Sequence, residues 1–204
     1  MRFFWKENAV ISLKLAENIY TLCQMSERKH TMAFFNIFRD TDNWLDVDLS
    51  QEKIIMIVHT MGTIQDFGER KITPKEVKPL EEIIIPDKYW VAHLNEIENF
   101  HKGEFYLKGG CLFQEIENQE SIRLNNDLDC IKDREDILQY EMETVYSPQH
   151  IQTRLLFNHK YQKDFDYFKH KIFPNLYEEE MFQQFLKMEK EFDIKLSSEA
   201  YQSD

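Results

Sequence analysis

The sequence predicts an α+β fold: an N-terminal antiparallel β barrel or strongly bent sheet, then a C-terminal helical hairpin. Two patterns and the break between them predict it. In the first half, short apolar runs rich in β-branched and aromatic residues are punctuated by turn residues, as in small barrels and sandwiches. After Ser147-Pro148 the apolar residues recur at helical spacing. Between the two, 115–143 carries ten acidic side chains against three basic ones, a net −7, which marks an exposed connection. The expected division is a β-rich domain over 1–114, an acidic connection over 115–146, and a helical hairpin over 147–204 packed on the β unit.

The strands follow in order. Ala9 to Leu15 alternates imperfectly, and Ile19 to Met25 follows across Glu17-Asn18, a pair that suits a short hairpin turn. Met32 to Phe38 is a nearly continuous apolar run, as a buried strand requires, and Ile54 to Val58 is rich in β-branched residues. Asp40 to Ser50 reads as an acidic loop, and Gly62 and Gly68 bracket a turn. Glu82 to Ile85 reads as a strand ended by Pro86. Tyr89 to Ala92 is a further short strand. Phe105 to Lys108 and Cys111 to Gln114 flank Gly109-Gly110, which predicts a tight connection.

The helices carry their own punctuation. Ser147 can cap the orphan N–H groups and Pro148 suits the first helical position. Tyr161, Phe165, Phe168 and Ile172 share one helical face until Pro174 stops the run. Asn175 is the expected cap of a second helix, with Met181, Phe185, Met188 and Phe192 on its apolar face. Phe165 and Phe185, central in their stripes, should both be buried, and the tail from Ser197 should fray.

Composition bounds the chemistry. The chain is 42% apolar, with 16 Phe, 9 Tyr and 3 Trp, enough to bury a core. With 37 acidic against 25 basic side chains, a net charge of −12, the surface repels polyphosphate backbones and attracts basic proteins. Charge begins at once after Phe3, Phe4 and Trp5, and no window suits a membrane span, so a cytoplasmic protein is expected. Cys23, Cys111 and Cys130 are odd in number and scattered, which fits reduced thiols that fill apolar space.

Motifs for catalysis are absent from the sequence: no phosphate loop, no nucleophile elbow, no His-Glu-x-x-His and no Cys-x-x-Cys. His159 and His170, eleven residues apart on the expected helix, would share a face but lie about 16 Å apart along it. His93 and His101 have no matching Cys or third His near them in sequence. No catalytic residue, metal or cofactor is therefore expected. Asp40, Asp42, Asp46 and Asp48 are either a solvated loop or a surface for a basic partner; they lack the Gly and terminal Glu of a calcium loop. Trp44, among these acids, is either an aromatic anchor or a core residue at the base of the loop.

Asn8 to Leu15, Ile19 to Gln24 and Met32 to Phe38 together resemble the opening of the immunity-protein-26 family, small bacterial proteins that accompany polymorphic or contact-dependent toxins. In that family a first strand of x-Ile-x-Leu type leads by a short turn to an aromatic second strand. A third strand of small residues then aromatics follows. Arg70-Lys71-Ile72 and Pro79 to Pro86 are similar to its middle section, so the likeness covers about 5–115. The chain departs at Glu17-Asn18, where relatives tend to have Asp-Gly, and it lacks the Gly often found in the second strand. The resemblance implies an immunity protein that neutralises a cognate toxin, most such toxins being nucleases with basic surfaces. The residues expected to meet the toxin are Asp40, Asp42, Trp44, Asp46 and Asp48, with Asp127, Asp129, Asp133, Glu135 and Asp136 as a second patch. Two other readings remain: an enzyme with a site between sheet and helices, and an acidic mobile-element protein that mimics nucleic acid.

Overall fold

The computed structural model describes residues 4–96, 105–116, 120–194 and 196. Phe3, His101, Glu117 and the tail from Ser197 lie outside them. In chain order the strands are β1 (Val10–Ala16), β2 (Ile19–Met25), β3 (Thr31–Arg39), β4 (Val47–Asp48), β5 (Ile54–His59), β6 (Gly68–Lys71), β7 (Val77–Lys78), β8 (Lys88–Glu96), β9 (Phe105–Glu115) and β10 (Ser121–Asn125). The helices are α1 (Thr63–Phe67), α2 (Arg134–Gln139), α3 (Pro148–Tyr161), α4 (Tyr167–Ile172) and α5 (Glu179–Glu191). The fold is α+β, with mostly antiparallel sheets. Among the described residues no helix is long and apolar enough to cross a membrane.

The chain divides into two compact units, Met1–Ile85 with Val145–Asp164, and Pro86–Thr144 with Phe165–Asp204. Each unit is discontinuous, because the chain returns to the first before completing the second. This division cuts across the boundaries expected from composition. The acidic 115–146 stretch contains β10 and α2.

The first unit is an open sheet of order β5-β3-β2-β1-β6, not a closed barrel. The β1–β2 hairpin turns at Glu17-Asn18: Ala16 pairs with Ile19, and Asn18 takes φ 57, which Asn tolerates. Both sheet faces are covered, which explains why β3 reads as a nearly continuous apolar run and why the alternation of β1 is imperfect. One face carries Val10, Leu22, Ala33 and Phe35 against Trp44, Val47, Leu49, Ile72 and Val77 from the connecting loops. On the other, α3 lies on β1 and β3, and Gln152 Nε2 donates to Leu15 O at 2.6 Å. Ser147 caps α3 as expected, its hydroxyl accepting from His150 N, with Pro148 in the first position. Gly62 does not close a simple turn. It sits at φ 89 and starts α1.

The second unit has a three-stranded sheet of order β10-β9-β8. The expected turn at Gly109-Gly110 is instead the interior of β9. A Cβ on Gly110 would come within 2.8 Å of Val91 O and 3.2 Å of the Trp90 ring, so this glycine permits close strand approach. Gly109, at φ 73, lies where the β8–β9 register shifts. The expected strand at Glu82–Ile85 is also absent. Ile83 is buried, Ile84 is exposed, and neither pairs in a sheet.

The long helix expected up to Ile172 is two helices, one in each unit. Gln162, at φ 53, ends α3, and Arg154 clamps Asp164 with Nε–Oδ1 at 2.7 Å and Nη2–Oδ2 at 2.6 Å. Asp166 then caps α4, accepting from the N–H groups of Phe168 and Lys169. Asn175 does not cap the last helix: it stands at φ 80, and Glu178 occupies the cap position of α5. Phe165 and Phe185 are both fully buried, with ring centroids 5.0 Å apart.

Candidate functional site

The loop between β3 and β5 carries the first expected patch, and much of it is built inward. Trp44 is fully buried among Val47, Leu49 and Phe35. It is therefore a core residue, not an exposed anchor for a partner. Its indole N–H lies 3.0 Å from Ser12 Oγ and 2.7 Å from Asp42 Oδ1, so the one polar atom of a buried ring is satisfied. Arg39 lies over the ring and donates to Asn43 O.

Two of the four aspartates are held within the fold. Arg70 bridges Asp42 at 2.6 Å and Glu76 at 2.8 Å. Burial works against the Arg70 charge, but Glu76 and Asp42 outweigh it and hold its pKa above the ordinary value. Thr73 N–H, then Arg70, holds the Glu76 carboxyl below its usual range. Asp48 caps the turn at Leu49–Gln51, accepting from Ser50 N and Oγ, and meets Lys78 Nζ at 2.9 Å. Its pKa falls to about 2, chiefly through Ser50 and then Lys78. Asp40 and Asp46 are exposed. The partners Arg70, Glu76 and Lys78 come from β6, β7 and the turn between them, far along the sequence, which is why spacing alone missed them.

The second patch lies in the other unit, from the end of β10 into α2. Asp127, Asp129 and Glu135 are exposed, and Asp133 and Asp136 are half-buried. Asp129 accepts from the N–H groups of Ile131 and Lys132, which holds its carboxyl below the usual range, and Asp133 Oδ2 accepts from Asp129 N. Ile131, in this turn, is 83% exposed, in a stretch where Asp129 and Asp133 alternate with Lys132 and Arg134. Ile122 and Leu124 on β10 are also exposed. An exposed apolar side chain in an acidic stretch is what Trp44 was expected to supply.

A third grouping escaped the sequence reading. His93 stands beside Cys111, its Nε2 and Nδ1 at 3.7 and 3.9 Å from Sγ, and Nε2 lies 3.8 Å from Asp127 Oδ1. A Cys does therefore accompany His93, supplied by the β8–β9 pairing in which Val91 faces Cys111. A nucleophilic triad needs thiol and carboxylate on opposite ring nitrogens. Here the carboxylate meets the same Nε2 that lies nearer the thiol, and the buried Sγ donates to Asn126 O at 3.0 Å. Among the described residues no three His, Cys, Asp or Glu side chains are placed to hold a metal ion. His159 and His170 lie on different helices, α3 and α4. Cys23 is an apolar filler: burial pushes its thiol up to about 12.

A cleft of about 150 Å³ in the first unit is lined by Lys6, Glu7, Lys71, Ile72 and Pro74, among others. It brings together none of the residues expected to bind.

Residues 1–178 match the model of one protein family, described as a domain of unknown function, DUF8309. The chain belongs to that family. No curated protein and no solved structure matches it significantly. The family description carries no activity, so the reading of this DUF8309 chain rests on its own residues.

Proposed function

We propose that the chain is a binding protein, an immunity protein that occludes the basic active or substrate-binding surface of a cognate bacterial toxin, a nuclease by preference, in the cytoplasm. The observation that carries this reading is the exposed apolar set Ile122, Leu124 and Ile131 within a stretch of net charge −7. Apolar anchors ringed by charge supply affinity, and the like-signed field speeds encounter with an oppositely charged partner. The first-half resemblance to the immunity-protein-26 family supports the same reading. With Trp44 in the core, the weight of the interface moves from 40–48 to 121–136, leaving the exposed Leu45 with Asp40 and Asp46 as a smaller contribution from the first loop.

The test is to assay the product of the gene beside this chain's own for toxin activity, with and without the chain. Stoichiometric loss of toxin activity on adding the purified chain is the expected result. Full activity in the presence of a molar excess would overturn the proposal.

A further inference from the structure

We infer that β10 takes up an extended segment of the basic partner as a fourth strand. The inference rests on the basic-partner reading above and adds how contact is made. Among the described residues β10 has β9 as its one strand neighbour, so it is an edge. Ile116 donates its N–H to Glu120 O at 2.8 Å, which makes these two a hydrogen-bonded pair. Ser121 faces Glu115, Ile122 faces Gln114 and Arg123 faces Phe113. By alternation Ile122 bonds to β9, while the N–H and C=O of Ser121 and Arg123 point away from it. Those groups can receive an incoming strand.

The side chains beside this edge are already ordered. Tyr89 and Phe113 stack at 5.8 Å with planes 9° apart, the Arg123 guanidinium lies 5.1 Å over Phe113, and Ser121 Oγ is 2.6 Å from Tyr89 OH. Tyr and Arg held in place are the residue types that dominate binding energy. Ile122 and Leu124, both more than two-fifths exposed, offer apolar contact along the same edge. Such a bare apolar edge usually invites self-pairing, yet two copies of a chain of charge −12 repel. Glu115, Glu120, Asp127 and Asp129 lie at the ends of β10, so the occupant they favour is a strand in which lysine or arginine alternates with β-branched residues.

The probe is a capped heptapeptide alternating lysine and valine, with a glutamate–valine control. Titration is followed by hydrogen exchange and by amide chemical shifts. The expected result is binding of the basic peptide alone, with slowed exchange at Ser121 and Arg123. Arg123→Pro should weaken it roughly tenfold or more, since proline removes an outward N–H that the fold itself does not use. Arg123→Ala keeps that N–H and should retain more of the affinity. N-methylating alternate residues of the peptide tests the same bonds without altering the protein, should the proline variant misfold. Basic-peptide binding with Ser121 and Arg123 unprotected, and no loss on N-methylation, would overturn strand addition while leaving the acidic surface as the binding site. Equal binding of both peptides, or of neither, would overturn strand addition by a basic segment; toxin inhibition would then decide the wider reading. Concentration-dependent dimerisation abolished by Arg123→Pro would assign the edge to a second copy and overturn the inference.

Discussion

The indole nitrogen of Trp44 lies 2.7 Å from Asp42 Oδ1, and the other carboxylate oxygen of Asp42 accepts from Arg70 Nε at 2.6 Å. A buried ring is thus tied through one carboxylate to a cation at the edge of the sheet. Trp44→Ala should cost about 3–5 kcal/mol, the range for a large buried side chain. Trp44→Phe, which keeps most of the ring but deletes the donor, should cost about 1–3 kcal/mol because it removes the indole N–H from the buried Ser12 Oγ and the half-buried Asp42 carboxylate. Denaturant midpoints measure both. Unchanged midpoints would put Trp44 at the surface after all.

Phe165 and Phe185 should each cost about 3–5 kcal/mol on replacement by Ala. Their rings touch, and Phe165 also packs on Tyr177 at 4.7 Å and His170 at 5.5 Å, so the double variant should lose less than the sum of the singles. A double-mutant cycle from urea unfolding reads the coupling. Strict additivity would mean the pair is independent.

That Phe165 is buried was legible; the reason was not. Its spacing from Tyr161, Phe168 and Ile172 looks helical, but Phe165 lies in the non-helical link between α3 and α4. Asp166 gave the available signal, since a capping residue inside an apolar period can start a helix as well as decorate one. The strands β1, β2 and β3 were legible because sheets buried on both faces write their burial into consecutive residues, and β5 because its run is rich in β-branched residues. Gly110 was misread because a glycine required by cross-strand approach looks in sequence like a glycine required by a turn. The acids were legible as acids only: whether Asp42 and Asp48 face solvent depends on Arg70 and Lys78, which tertiary pairing alone brings to them. Ile131 carried no local pattern at all.

Lys169 is fully buried and its ammonium lies 3.2 Å from Leu138 O and 3.5 Å from Glu141 Oε2. Removing the carboxylate leaves a buried charge without its counterion. Glu141→Gln should therefore destabilise by about 3–5 kcal/mol, whereas Lys169→Met together with Glu141→Gln should recover much of the loss. Thermal midpoints of the three proteins decide it, and a double variant less stable than Glu141→Gln would contradict the account.

Histidines set the behaviour in mild acid. Burial lowers the pKa values of His159, packed on Phe38, and His170, stacked on Phe182, with Glu179 opposing the shift at His170. His59 is lowered by burial and by the nearby His30 and Arg28. In the unfolded chain these groups take protons near the ordinary value of 6.5. The folded chain takes them only at lower pH. The stability is therefore whole above that value and is lost as pH falls through it towards the folded pKa values. The thermal midpoint should drop between about pH 7 and pH 5, and His170→Phe should flatten part of the drop. A midpoint that rises on acidification would show the opposite linkage.

The acidic surface should act on encounter more than on residence. Asp127, Asp129 and Glu135 are exposed, as is Ile131 in the same stretch, whereas Asp42 and Asp48 are paired with Arg70 and Lys78. Neutralising Asp127, Asp129 and Glu135 to Asn and Gln should slow association with the basic toxin, by about tenfold at low salt. The deficit should shrink as salt shortens the reach of the field. Neutralising Asp40 and Asp46 should do the same more weakly, since two charges are removed and not three. Ile131→Ser should instead speed dissociation and leave the association rate near that of the parent, because an apolar contact has no field. Surface-binding kinetics at two salt concentrations separate the three. Equal rates for the Asp127 set and the parent at low salt would remove 127–136 from the interface, whatever the toxin proves to be.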